Sequence, residues 1–149
     1  MYKHILVPTD GSPLSLKAAK AAAGVAKKLG AKVTAVYVSA PWMPPIAYEG
    51  MRPASLSEME ATYRRSTEAT AAKALEHVAK AAAGAGVKCG RLSVTGDQPW
   101  KTIIATAAKQ KCDLIVMASH GRKGLAGLLI GSETTKVLTH SKIPVLVCR

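Results

Sequence analysis

Two kinds of hydrophobic pattern alternate along the chain. In the first, apolar residues, many of them β-branched, occupy consecutive positions, as at 5–7, 114–117 and 145–147. A strand that is covered on both faces needs apolar side chains on both, so consecutive apolar positions are typical of buried strands. The pattern predicts strands at 4–9, 32–40, 87–95, 112–119 and 143–149.

In the second pattern, Ala- and Lys-rich segments repeat apolar positions at helical spacing. Ser12 followed by Pro13 is typical of a helix N-terminus, and Gly30 is typical of the residue that ends a helix. Ser55 and Glu58 have the spacing of a capping box. These signals predict helices at 12–29, 55–85, 99–111 and from 132 onward.

Strands and helices therefore alternate from one end of the chain to the other. Alternation of this kind indicates right-handed crossovers and a parallel sheet with helices on both faces. With 149 residues, the chain has the usual size of one domain. The sequence predicts a single α/β domain over residues 1–149.

The segment 39–55 is the longest predicted loop, because it holds four prolines and cannot form a regular element. Its apolar side chains favour a flap packed over a site, or a contact with a partner, over a solvated linker. They are Trp42, Met43, Ile46, Tyr48 and Met51.

The chain is strongly basic, with 21 lysines and arginines against nine acidic residues. Such an excess attracts polyanions at low salt. Aromatic residues make up 4% of the sequence, and the helix-turn-helix pattern is absent. A solvated basic surface is the favoured interpretation, and nucleic acid or an acidic partner is the alternative.

Compartment is indicated by the cysteines and by the apolar runs. The three cysteines are widely separated and lack the spacing of a zinc site or a disulfide framework. No apolar run has the length of a membrane span or of a secretory signal. We expect a cytoplasmic protein. The two histidines His4 and His140 are expected at a strand edge and at a helix end.

The candidate chemistry lies at the carboxyl ends of three strands. Asp10 follows the first strand, Val38 ends the second, and the fourth leads into a loop that holds Gly121 and Gly131. In open parallel sheets, ligands bind outside the carboxyl ends of the strands. Backbone N–H groups of the loop and of the helix that starts at Ser132 are suited to phosphate oxygens, and Ser132 is also an ordinary N-cap.

Two well-known phosphate motifs are missing from the sequence. It contains no G-x-x-x-x-G-K-[ST], and no G-x-G-x-x-G follows the first strand. A Walker-type NTPase and an ordinary dinucleotide-binding domain are therefore disfavoured.

Four short motifs together resemble the universal stress protein family across essentially the whole chain. They are PTDGS after the first strand, ASHGR after the fourth, GS nine residues later, and PVLVC in the last strand. The nucleotide-binding branch of that family carries G-x-x-G, nine residues, then G-[ST]. Here Ala118 replaces the first glycine, which is harmless at negative φ and costs about 1 kcal/mol at positive φ.

The resemblance implies a flavodoxin-like or Rossmann-like fold with strand order 3-2-1-4-5 and a homodimer formed through the last strand, 143–149. Burial of Cys148 at that interface is favoured over redox chemistry. It also implies a site for ATP, or for ADP or AMP, with Mg²⁺ bridged through the phosphates to Asp10. Adenine would contact Val38, and the ribose and phosphates would contact the remaining residues. The implied binding residues are Pro8, Thr9, Asp10, Val38, Ala118, His120, Gly121, Arg122, Gly131, Ser132, Glu133 and Thr134.

Three functions are left open by these observations. The favoured one is a small ATP-binding regulatory protein that senses or signals adenylate state with little or no turnover. The second is a slow ATPase or nucleotidyl-transfer enzyme, although no nucleophile with its base stands out. The third is a nucleotide-free dimeric interaction module, which the substitution at Ala118 favours.

Overall fold

Five parallel strands form one sheet in the computed structural model, which describes residues 1–46, 49–121 and 130–149. The strand order is β3-β2-β1-β4-β5, which confirms the predicted order and the predicted fold class. Each strand end lies within two residues of its prediction. The strands are β1 (His4–Pro8), β2 (Lys32–Ser39), β3 (Cys89–Thr95), β4 (Leu114–Ala118) and β5 (Val145–Cys148).

Helices cover both faces of this sheet. Helices α1 (Pro13–Leu29) and α2 (Pro53–Gly84) pack on one face, and α3 (Pro99–Lys109) and α4 (Ser132–His140) pack on the other. The central strands β1 and β4 are buried at every position. Ile5 packs among the residues of the first face and Leu6 among those of the second. Both faces need apolar side chains, which explains the consecutive apolar positions.

The ends of α1 follow the sequence signals. The Ser12 side chain accepts a hydrogen bond from the Ser15 N–H at 3.1 Å, and Gly30 ends the helix in the left-handed region at φ 65°. Glycine adopts this conformation without the steric cost of a β-carbon. The predicted N-cap and C-cap of this helix are confirmed.

The predicted start of α2 is wrong by two residues. The helix begins at Pro53 with Arg52 as its N-cap and has no side-chain cap, so Ser55 and Glu58 lie inside the helix instead of forming a capping box. The proline ring already holds φ at a helical value, and its missing N–H needs no partner in the first turn. The proline signal therefore sets the start of this helix.

His4 is buried in the central strand β1, and the prediction of a strand-edge histidine is wrong. Its Nε2 lies 2.7 Å from the Thr34 hydroxyl. Burial, together with the charge of Lys32, lowers the pKa of His4 against the opposing effects of the Gln110 backbone and Asp113. We infer that the ring is neutral at neutral pH.

The connection between β2 and α2 leaves apolar side chains in solvent. Met43 is 76% exposed and Ile46 is fully exposed, so these two residues do not pack on the domain as a flap would. Of the five apolar residues that suggested a flap, Tyr48 lies outside the described residues. A contact with a partner remains the interpretation that suits Met43 and Ile46.

All three cysteines are free thiols. Burial is the main cause that raises the pKa of each of them, for Cys112 to about 11. A thiol of raised pKa holds little thiolate at neutral pH, and the thiolate is the reactive form.

None of the helices within the described ranges is long and apolar enough to cross a bilayer.

Candidate functional site

A cavity of about 790 Å³ opens at the carboxyl edge of the sheet, beside the ends of β1, β2 and β4. Strands β1 and β4 are neighbours there, although they are separated in sequence, so this is the point where the chain order reverses. Arg122 lies outside the described residues. The other predicted binding residues all line the cavity: Pro8, Thr9, Asp10, Val38, Ala118, His120, Gly121, Gly131, Ser132, Glu133 and Thr134.

Asp10 is held in a tight turn between β1 and α1. One of its carboxylate oxygens, Oδ1, accepts a hydrogen bond from the Ser12 N–H at 3.0 Å. The next residue, Gly11, turns the chain with φ 79°, and its N–H donates to the Thr9 hydroxyl at 3.2 Å. Asp10 therefore holds the turn that leads into α1 and also lines the cavity.

Gly121 lies against the second oxygen of the same carboxylate. A β-carbon built on Gly121 would collide with Asp10 Oδ2. The end of β1 and the start of the loop after β4 therefore approach so closely that a side chain at position 121 would have to displace the Asp10 carboxylate. This close approach is the physical reason for a glycine at position 121.

Ala118 fits its position without strain. Lys111 is the one non-glycine residue with positive φ within the described ranges, so Ala118 does not adopt the conformation that would favour glycine. The carbonyl of Ala118 accepts a hydrogen bond at 2.9 Å from the hydroxyl of Thr134, which is 3% exposed. Thr134 thus ties the start of α4 to the end of β4, and its hydroxyl is committed to the backbone.

The start of α4 differs from the prediction in two ways. Gly131 is the N-cap and Ser132 is the first helical residue, so Ser132 is not the N-cap. The N–H of Gly131 donates to the Ser119 carbonyl at 2.7 Å and is therefore not a donor to a ligand. Gly131 has no side chain with which to cap α4. Because a helix cannot satisfy its first N–H groups internally, its first turn offers donors and a positive dipole end to the cavity.

Glu133 connects the two helices on this face. Its Oε2 accepts a hydrogen bond from the Trp100 N–H at 2.9 Å, and its Oε1 lies 3.2 Å from Lys136 Nζ. Helix α3 has no cap from its own N-cap side chain, so Glu133 supplies an acceptor to its first turn. The carboxylate of this predicted binding residue is engaged in holding α3 to α4.

The cavity has a further wall, formed by α2, that was not predicted from the sequence. Tyr63 and Thr67 on α2 line it, and the Tyr63 hydroxyl donates to the Ala40 carbonyl at 2.8 Å. With 32 residues, α2 is about 48 Å long and exceeds the strands it covers. A long second helix is the one sequence signal for this wall. The other lining residues outside the predicted binding set are Ser15, Val36, Tyr37, Ser39, Ala40, Pro99, Ile103 and Met117.

The geometry suits binding better than covalent catalysis. The Ser119 hydroxyl lies 3.2 Å from His120 Nδ1, but Ser119 is only 2% exposed and cannot reach a substrate. Within the described ranges, no group of three His, Cys, Asp or Glu side chains is placed to hold a metal ion. A helix N-terminus, a carboxylate and an apolar wall remain as the recognition groups.

A comparison with models of known protein families identifies the family of this chain. The model of the universal stress protein family matches residues 1–149. The chain belongs to the universal stress protein family. This finding confirms the resemblance predicted from the four short motifs.

Individual relatives agree over nearly the whole chain. Universal stress protein MJ0531 of Methanocaldococcus jannaschii is 36% identical over 149 residues, which cover 100% of this chain and 83% of the relative. The solved structure of the hypothetical protein MJ0577, from the same organism, matches with a TM-score of 0.80 and 30% identity, covering 99% of this chain and 96% of that one. A universal stress protein solved in complex with cAMP matches with a TM-score of 0.70 and 28% identity, covering 99% and 97%.

Proposed function

We propose that this universal stress protein binds an adenine nucleotide, with ATP as the expected ligand and ADP or AMP as alternatives, in the cavity at the carboxyl edge. The observation that carries the proposal is that the close approach of Asp10 and Gly121 and the N-terminus of α4 line one cavity of about 790 Å³. That volume lies within the range of small-molecule sites. The cAMP complex of a relative supports an adenine nucleotide as the ligand.

Each part of the cavity suits one part of a nucleotide. The first turn of α4 offers N–H groups and a positive dipole end to phosphate oxygens. Val38 at the end of β2 and the Tyr63 ring on α2 offer apolar surface to a base. Asp10 is placed for the ribose, or for a Mg²⁺ ion that the phosphates also hold, because carboxylate oxygens are the ligands Mg²⁺ prefers.

The proposed role is regulation in the cytoplasm, in which the loaded and empty states differ in the surface they show to partners. The free cysteines suit a reducing compartment. Little or no turnover is proposed. The buried Ser119 cannot act as a nucleophile, and direct attack by water on the terminal phosphate is tested by phosphate release below. A slow ATPase and a nucleotide-free module are the alternatives that the following experiment separates.

Nucleotide-free protein is expected to unfold at a higher temperature in millimolar ATP with Mg²⁺. At a ligand concentration about 100 times the Kd, the stabilisation is about 2.7 kcal/mol. Thermal unfolding with ATP, ADP, AMP, cAMP and GTP ranks the ligands, and phosphate release in a single turnover detects hydrolysis. No response to any of the adenine nucleotides would leave the nucleotide-free module as the function.

We also propose a homodimer through 143–149. Strand β5 is an edge of the sheet, and Leu146 on it is 41% exposed, as is Leu138 on α4 at 40%. An unpaired edge with apolar side chains favours self-association. Sedimentation at micromolar concentration is expected to give twice the monomer mass, and Leu146→Lys is expected to give the monomer. A monomeric parent protein would contradict the proposal.

A further inference from the structure

A row of lysines crosses the amino edge of the sheet, opposite the cavity. Lys32 opens β2, and a lysine lies one to three residues before each of the other strands, namely Lys3, Lys88, Lys111 and Lys142. The Lys32 N–H donates to the Lys3 carbonyl at 3.0 Å, and the Val33 N–H donates to the Lys88 carbonyl at 2.9 Å. Neighbouring strands lie about 4.8 Å apart, so the row is about 19 Å wide.

Three more lysines reach this edge from the helices. Crossover helices run from the carboxyl edge of a parallel sheet back to its amino edge. Lys27 and Lys28 lie in the last turn of α1, and Lys109 is the last residue of α3. All eight lysines are exposed, and we call them together the lysine face.

Almost no negative charge offsets the lysine face. Of the nine acidic residues in the sequence, only Asp113 lies at this edge, and its carboxylate accepts hydrogen bonds from the N–H groups of Lys3 and His4 at 2.8 and 2.9 Å. None of the ion pairs in the described part of the chain involves a lysine of this face. Lysine in a last helical turn suits the helix dipole, which accounts for the three helix-end lysines but not for the row.

The form of this face narrows the choice of anionic partner. Connections of two to four residues join the helices to the strands here, so no long element projects to enter a nucleic-acid groove, as groove recognition requires. The cations are lysines throughout, whereas arginine is preferred for bidentate recognition of bases and phosphates. A broad lysine surface without projections suits a plane of anionic headgroups, because the headgroups attract each nearby lysine without requiring a specific geometry.

We propose that the lysine face docks the protein peripherally on an anionic lipid bilayer. The lysines would lie at the headgroups, and the cavity at the opposite edge would point away from the membrane. Docking would therefore leave the cavity accessible, and it does not depend on the nucleotide proposal.

Sedimentation with lipid vesicles tests this proposal. The full chain is expected to bind vesicles of phosphatidylcholine with about 30 mol% phosphatidylglycerol at low salt and to leave them at about 0.5 M salt, where screening is strong. The test variant changes Lys32, Lys88 and Lys142 together to Gln. A control variant of equal net charge changes Lys20, Arg65 and Lys73, which are exposed on α1 and α2, to Gln.

The test variant is expected to bind the anionic vesicles about 100-fold more weakly. Each lysine near an anionic surface adds a comparable share of the binding free energy, and the variant loses three such shares. The control variant is expected to change affinity by less than about threefold. Equal weakening of both variants would overturn the lysine face as the docking surface. Binding to random-sequence duplex DNA but not to the vesicles would replace the membrane with nucleic acid as the partner. Circular dichroism is used to check that both variants are folded.

Discussion

The variant Gly121→Ala is expected to fold and to lose most of its response to ATP. A β-carbon at this position collides with Asp10 Oδ2, so the carboxylate must move or the loop must shift away from β1. Either change alters the junction of Asp10 and Gly121, which we propose lies against the nucleotide. We expect a loss of affinity of about tenfold or more, equal to at least about 1.4 kcal/mol of binding free energy, measured by titration calorimetry.

Gly24→Ala is the matched control for this substitution. Gly24 lies in the middle of α1, and an added β-carbon there meets no atom within 4 Å. The control is expected to keep its ATP affinity and to gain about 0.5–1 kcal/mol of unfolding free energy from the better helix propensity of alanine. Unchanged ATP affinity in Gly121→Ala would show that the Asp10–Gly121 junction is not part of the binding site.

The variant Asp113→Ala is expected to lower the free energy of unfolding by about 2 kcal/mol at pH 7. The carboxylate accepts hydrogen bonds from two backbone N–H groups, those of Lys3 and His4, and fastens the start of β4 to the start of β1. Hydrogen bonds to a charged acceptor contribute about 1.5–3 kcal/mol each. The hydrogen bond from the Lys3 N–H is exposed to solvent, so the two bonds together contribute less than twice that amount. Urea unfolding measures the difference.

The same carboxylate gives the difference a pH dependence. Burial acts to raise the pKa of Asp113, but the hydrogen bonds from His4 and Lys3 outweigh it and hold the pKa below the ordinary value of 3.8. Because the folded pKa is the lower one, the stabilisation is complete above the unfolded pKa and is lost as the pH falls through the folded pKa. The difference in unfolding free energy between parent and variant should therefore be constant from pH 7 to about pH 5 and should shrink progressively as the pH falls below about 4.

Asp97→Ala is the control for Asp113→Ala. Asp97 is exposed after β3, and substitution of such a surface residue is expected to change stability by less than about 0.5 kcal/mol. A difference in unfolding free energy between the parent protein and Asp113→Ala that is as large at pH 3 as at pH 7 would show that the lost interaction does not depend on the charge of the carboxylate.

Local patterns were sufficient for the elements and for most of the candidate site. Apolar runs such as 114–117 predict buried strands because both faces of the sheet are covered. Asp10 and Gly121 could be placed at one edge because each follows a strand of a parallel sheet, and parallel strands share their carboxyl edge. The helix caps Ser12 and Gly30 depend on residues within one turn, so they too are readable in the sequence.

The sequence by itself therefore determined the order of elements, the helices on both faces and the edge at which the site lies. The tertiary structure alone decided which groups are already engaged: Glu133 by Trp100, the Gly131 N–H by Ser119, and Tyr63 by Ala40. It also decided that His4 is buried and that the lysines before the strands form one face. Local signals depend on neighbours within one helical turn, whereas these contacts join residues that are distant in sequence and meet only when the helices pack on the sheet.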